Sequence, residues 1–129
     1  MKNTILTFIF LFSITMWTSN GYGEWKFLTS SEDGTKFYID FESVRKHEGY
    51  YYYWVLEDLL KPDIDGDLSY INYFQGDCNL FRIKHLSGLY YKLPMGEGNS
   101  YDVNPENPKW SYVPPGSVFE TSLKTVCGM

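Results

Sequence analysis

The segment that most limits what this chain can become is its tail, Trp110-Ser111-Tyr112-Val113-Pro114-Pro115-Gly116-Ser117-Val118-Phe119-Glu120-Thr121-Ser122-Leu123-Lys124-Thr125-Val126-Cys127. Pro114 and Pro115 force an extended approach, because neither continues a helix inward. Gly116 frees the chain to turn and Ser117 suits an N-cap. Glu120, three residues on, completes a capping box in which each side chain satisfies a backbone donor. Phe119, Leu123, Val126 and Cys127 then recur at i, i+4, i+7 and i+8, one face of a 3.6-residue repeat. Glu120 near the start and Lys124 near the end complement the helix dipole, and Gly128 is a natural stop. The spacing predicts a helix of about three turns, too short to persist alone in water. Its apolar face and the Cys127 sulfur are what can hold it down. The only other cysteine is Cys78, so pairing the two bolts the helix across whatever precedes it.

What precedes it opens with a leader. Lys2 is followed by an apolar run from Ile5 to Met16, broken only by Thr7, Ser13 and Thr15. That run is about 12 residues, short of the ~20 needed to span a bilayer. Gly21 and Gly23 place small residues at the −3 and −1 positions of a cut before Glu24. The expectation is a cleaved signal peptide over 1–23 and one domain over 24–129. The protein is then exported to the periplasm or the medium, with the cell surface as a third destination. No cysteine lies near the cut to carry lipid, so no stable membrane anchor is expected after cleavage.

Losing Lys2 leaves 10 basic residues against 16 acidic ones, a net charge of −6. Such a surface attracts neither nucleic acid nor anionic lipid. Two cysteines in a small exported chain read as a disulfide between Cys78 and Cys127. Closing a loop of about 50 residues restricts the unfolded chain by roughly 4 kcal/mol in the chain-entropy account. The alternative, a zinc pair, lacks a histidine or third cysteine at ligand spacing.

Between leader and tail the chain reads as strands. Trp25 to Thr29 is a short first strand, and Asp33-Gly34 turns it into a second, Lys36 to Asp40. Phe41 to Gly49 is a polar connection with room for one helical turn. Tyr50 to Leu60 is the longest strand signal: Tyr50, Tyr52, Trp54 and Leu56 on one face, and Tyr51, Tyr53 and Val55 on the other. Apolar residues on both faces indicate a central strand. Lys61 to Asp67 is a loop at a hairpin tip. Ser69 to Cys78 and Leu80 to Tyr91 follow as strands, and Asn99 to Val103 as a short edge strand. Strand runs followed by one helix give the α+β class: an antiparallel sheet of five or six strands with one C-terminal helix tied by a disulfide.

Catalytic chemistry is not evident. His85 shares strand parity with Phe81, Ile83 and Leu89 and is expected to be a core or rim histidine with a satisfied hydrogen bond. His47 lies in a charged loop and is expected to be solvated. Neither has a nucleophile in a recognised local motif. Asp63-x-Asp65-Gly66-Asp67 invites calcium, but its glycine comes early relative to a calcium-binding hand loop and no closing glutamate follows. Hairpin-tip acidity is the expectation. Glu57 and Asp58 fall on opposite faces of one strand. No catalytic residue, metal ligand or cofactor site is assigned, and the chain is read as a non-enzyme.

Trp 4, Tyr 12 and Phe 9 make this an aromatic-rich chain, with most rings in the strands. A helix is ~10 Å across and strands lie about 4.8 Å apart. One helix therefore shields roughly two strands on one face, and the remaining aromatic surface needs another cover. Sheet curvature, a second copy of the chain forming a homodimer, and a bound partner are the three candidates. Tyrosine suits the wetter versions, with an apolar body and a polar tip.

These residues together resemble the surface-adhesin protein E family of Gram-negative bacteria. The resemblance rests on Trp25, Gly34 to Asp40, Trp54-Val55-Leu56, Pro62, Asp77-Cys78, Pro94-Met95-Gly96, and Trp110 through Pro114-Pro115-Gly116-Ser117 to Val126-Cys127. It implies an antiparallel sheet with the C-terminal helix held on its concave side by the disulfide. It also implies an adhesin that binds extracellular-matrix or serum proteins such as laminin and vitronectin, and that dimerises. The named adhesin carries lipid on a cysteine that this sequence lacks, which favours a soluble periplasmic or secreted form. A periplasmic envelope-maintenance protein with no host ligand is the second reading.

Overall fold

The computed structural model describes residues 24–129; the expected signal peptide, residues 1–23, lies outside them. Eight strands form one antiparallel sheet: β1 (Lys26–Ser30), β2 (Lys36–Ile39), β3 (Arg45–His47), β4 (Tyr50–Asp58), β5 (Ser69–Asp77), β6 (Arg82–Tyr91), β7 (Ser100–Asp102) and β8 (Trp110–Tyr112). The single α-helix among the described residues, α1, spans Val118–Cys127. The main path runs β1-β2-β4-β5-β6-β7, with β3 paired to β4 and β8 paired to β6.

Eight strands replace the expected five or six. The two additions, β3 and β8, are each three residues long. Arg45-Lys46-His47 has no apolar member to alternate, and Trp110-Ser111-Tyr112 is read from sequence as the approach to the helix. Each exists because a longer strand offers unfilled backbone donors and acceptors beside it. β2 pairs with Val55–Asp58 and β3 with Tyr50–Tyr52, so the two share one side of β4. On the far side β8 pairs with Arg82–Lys84 and β7 with Leu89–Tyr91, so they share one side of β6.

α1 begins as its cap predicts. Ser117 Oγ accepts from the Glu120 N–H at 3.2 Å, while Glu120 Oε1 accepts from the Gly116 N–H at 3.3 Å, one residue earlier than a standard box. The helix packs on β1 and β4. Leu123 and Val126, both fully buried, join Ile39, Tyr53, Val55 and Phe74 of the sheet in the larger core cluster. Gly76 makes this approach possible, since a Cβ there would lie 2.7 Å from Leu123 Cδ1. Cys127 is bonded to Cys78, with the alpha carbons 5.8 Å apart. Asp77 organises the turn that presents Cys78, accepting from the backbone N–H of Asn79 and Leu80 and from Arg82 Nε at 2.9 Å. Leu123→Ala is expected to lower the unfolding free energy by about 3 kcal/mol, from lost burial and an unfilled cavity. A urea titration of both forms checks it.

The other face carries a second, smaller cluster of Leu56, Ile71 and Tyr91, covered by Met95 from the turn after β6. Asp58 Oδ1 holds that turn through the Met95 N–H at 2.9 Å. Glu57 faces the helix side, so the two adjacent carboxylates lie on opposite faces as their alternation requires.

Candidate functional site

The helix covers one half of its face of the sheet. The other half, over β5 and β6, is roofed by the loop between β7 and β8. Gly88 anchors that loop: its carbonyl accepts from Val103 N–H at 2.9 Å and its N–H donates to Asn104 Oδ1 at 3.2 Å. A Cβ at Gly88 would lie 2.9 Å from the Val103 carbonyl oxygen and 2.7 Å from Asn72 Oδ1, so glycine is what lets the loop start so close to the sheet. The loop carries Pro105 and Pro108 over the strands and returns as β8. A cavity of about 610 Å³ is left between sheet, loop and helix.

Three polar side chains from three successive strands form its floor. Asn72 Nδ2 donates to Glu57 Oε2 at 2.6 Å, and Asn72 Oδ1 stands 2.9 Å from His85 Nε2. With the amide oriented so, His85 Nε2 carries the proton it donates. Burial pushes the Glu57 carboxyl up to about 7, against the lowering effect of the Asn72 donor and with the Asp33 charge adding to the rise. Burial holds the His85 imidazole below its usual value, partly offset by a backbone hydrogen bond at Ser87. Phe74 packs against His85 and against Phe119 of α1, with ring centroids 5.3 and 5.9 Å apart. The expected hydrogen bond of His85 is thus present, but its expected parity with Leu89 is not. The β5–β6 register shifts between Tyr73 and Phe74, so that Phe74 faces His85 while Tyr73 faces Ser87. Leu86 is the extra residue, and beyond it the alternation inverts. His85 shares its face with Ile83, Gly88 and Tyr90, and Leu89 lies opposite.

The helix-free face presents a row of rings. Trp54 stacks on Tyr73 at 4.4 Å, Tyr73 lies 6.1 Å from Tyr52, and Tyr50 lies 5.2 Å from Trp110. Arg82 and Lys84 sit over Trp110 at 4.4 and 4.6 Å. Strand alternation brings Tyr50, Tyr52 and Trp54 together, and the edge strand β8 adds Trp110. His47 is exposed on β3, its ring 6.4 Å from Tyr52.

At the β4–β5 tip, Asp63, Asp65 and Asp67 converge within 4.8 Å. Asp63 Oδ1 accepts from the N–H of Asp65 and Asp67 at 2.9 and 2.8 Å, and its other oxygen accepts from the Tyr70 hydroxyl. Asp67 is fully buried; it accepts from the Tyr101 hydroxyl and pairs with Lys92 Nζ at 2.9 Å. Lys92 also donates to the Asp65 carbonyl at 2.9 Å. An ammonium of the chain itself thus supplies the positive charge in the loop.

Sequence reasoning did not find the Glu57–Asn72–His85 chain, because three strands must be aligned before it exists. The aromatic row was legible in part from the alternation of β4. No helix among the described residues is long and apolar enough to cross a membrane.

Among curated proteins none matches the chain. Solved structures do. Haemophilus influenzae protein E in crystal form II has 15% identity and a TM-score of 0.59, covering 71% of this chain and 80% of that one. The selenomethionine form of the Haemophilus influenzae protein has 13% identity and a TM-score of 0.62, covering 79% and 85%. Protein E from non-typeable Haemophilus influenzae has 14% identity and a TM-score of 0.59, covering 79% and 75%. At such identities the likeness concerns the fold: an antiparallel sheet with one terminal helix. The profile of surface-adhesin protein E matches residues 25–128, nearly the whole described chain, and the protein belongs to that family.

Proposed function

We propose that the chain is an exported, non-catalytic binding module of the adhesin type, gripping an extracellular-matrix or serum protein through the ring row on its helix-free face. The observation that carries this reading is the row itself: Tyr52, Tyr73 and Trp54 in ring contact, and Tyr50 against Trp110 on the same face. Trp, Tyr and Arg are the residue types that dominate binding energy at protein interfaces. Lys84 beside Trp110, with Arg82 next to it but paired to Asp77, gives the row a cationic end on an otherwise acidic protein, which favours an acidic group on the partner. Family membership supports the same reading. The non-catalytic part rests on His85, whose Nε2 is committed to an amide, and on both cysteines, which are bonded to each other.

The test is surface binding of the purified domain, residues 24–129, to immobilised laminin and vitronectin. Trp110→Ala is expected to weaken binding about 30-fold, the effect of losing a large aromatic anchor worth ~2 kcal/mol. Binding to neither protein would favour an envelope component without a host ligand. Sedimentation of the same samples reports whether a second copy occupies the row, since Trp110→Ala then dissociates the dimer. Export follows from residues 1–23 acting as a cleaved signal, and the mature protein is expected to begin at Glu24 by mass spectrometry. Protease treatment of intact cells separates surface display from periplasmic retention.

A further inference from the structure

The cavity beneath the β7–β8 loop is separate from the ring row and lies on the opposite face. Its floor holds one carboxyl group, that of Glu57, with a single hydrogen-bond donor, the neutral amide of Asn72. Among the described residues no other hydrogen bond or ion pair reaches it, although Lys109 also lines the cavity. A partly buried carboxyl without a cation keeps its proton toward neutral pH, and once it ionises its charge has no counter-ion in the chain. The second carboxylate oxygen is not consumed by the protein. His85 fixes the Asn72 amide from behind, so the carboxylate is held by a hydrogen-bonded side-chain chain and not by a flexible stem alone.

The walls specify the rest of the occupant. Phe74, Tyr90, Phe119 and the loop prolines Pro105 and Pro108 line the same cavity with aromatic and aliphatic surface. Aromatic faces attract organic cations, and an ammonium placed between rings and a carboxylate is stabilised by both. A volume of about 610 Å³ falls within the range of small-molecule sites, which are mostly apolar with a few placed polar groups. From this arrangement we infer that the cavity binds a small organic cation, an ammonium with an aromatic or aliphatic body, whose charge meets Glu57 and whose body lies against Phe74 and Phe119. An anionic ligand would meet the carboxylate directly, and a neutral one would leave its charge unanswered.

Three probes share a phenyl body and differ in the charge of the head group: phenethylamine and 2-phenylethanol, which are isosteric, and the slightly longer 3-phenylpropionate. Each is titrated at pH 8, where Glu57 is ionised, into isotopically labelled protein, with the amide resonances of Gly88 and the Asn72 side chain followed by NMR. Phenethylamine is expected to shift both resonances saturably, with at least tenfold weaker binding to Glu57→Gln. That variant keeps an acceptor for Asn72, and its spectrum reports whether it is folded. The alcohol and the carboxylate are expected to show no saturation. The inference is overturned if phenethylamine gives no saturable shift, if 2-phenylethanol binds as tightly as the amine, or if Glu57→Gln binds the amine undiminished. The probe comparison needs only the unaltered protein, so it decides the matter even if the variant does not fold.

Discussion

Reducing the Cys78–Cys127 bond, or replacing both residues by alanine, is expected to lower the unfolding free energy by about 4 kcal/mol, the loop-closure entropy of a crosslink spanning 49 residues. For a domain of this size that is a large fraction of total stability, which runs to ~5–15 kcal/mol. The loss should not be spread evenly. The sheet keeps its ladder, with β4, β5 and β6 paired over most of their lengths. α1 has only ten residues and relies on its contacts with β1 and β4, so it should detach first. Hydrogen exchange with and without reductant checks this: protection over Val118–Cys127 should fall well before protection over β4–β6. Uniform loss would show that helix and sheet unfold as one unit whether or not the sulfurs are joined.

The second large effect is a pH dependence of unusual sign. Glu57 titrates near 7 in the folded protein against an ordinary value of 4.5. The folded state therefore holds a proton that the unfolded state has already released. Stability attributable to Glu57 is full below about pH 4.5, declines as pH rises toward 7, and is constant above that, a loss of about 3 kcal/mol across the window. His85 acts in the opposite direction: its lowered value means that stability falls as pH drops below 6.5. Asp77, held below the usual carboxylate range, adds a further acid loss. Burial raises it, but Arg82 and two backbone donors outweigh burial. Glu57→Gln removes only the first contribution. The variant should thus gain about 3 kcal/mol on the unaltered protein between pH 5 and pH 8, measured by denaturant unfolding at each pH. A difference that does not change with pH would show that Glu57 is ordinarily hydrated.

How far the sequence could be read depended on whether the cause of each feature was local. α1 was legible because its determinants lie within twelve residues: Ser117 and Glu120 at the start, Leu123 and Val126 on one face, Gly128 at the end. β4 was legible because aromatic residues fill both its faces. β3 and β8 were not, because nothing in Arg45-Lys46-His47 prefers a strand and Trp110-Ser111-Tyr112, though rich in strand formers, is too short to declare itself beside Pro114-Pro115; their pairing is imposed by the exposed flanks of β4 and β6. The facing of His85 was misread past one residue, since the bulge at Leu86 leaves no mark in a stretch as mixed as Lys84-His85-Leu86-Ser87-Gly88. The cavity was the least legible feature of all. It depends on a loop crossing two strands and on an alignment of Glu57, Asn72 and His85 that only strand register produces.

The paired short strands on each flank also bear on how these molecules behave when crowded together. A neighbouring chain seeking to extend the sheet finds three-residue stubs at β3, β7 and β8. At β1 it finds five residues with a register shift between Phe27 and Thr29. Fibril-forming contacts need about six residues of unbroken edge, and none of these supplies them. The positive charges of Arg45 and Lys46 discourage annealing at β3 further. The protein can thus be rich in rings and strands without templating its own aggregation, and its encounters are directed to its faces.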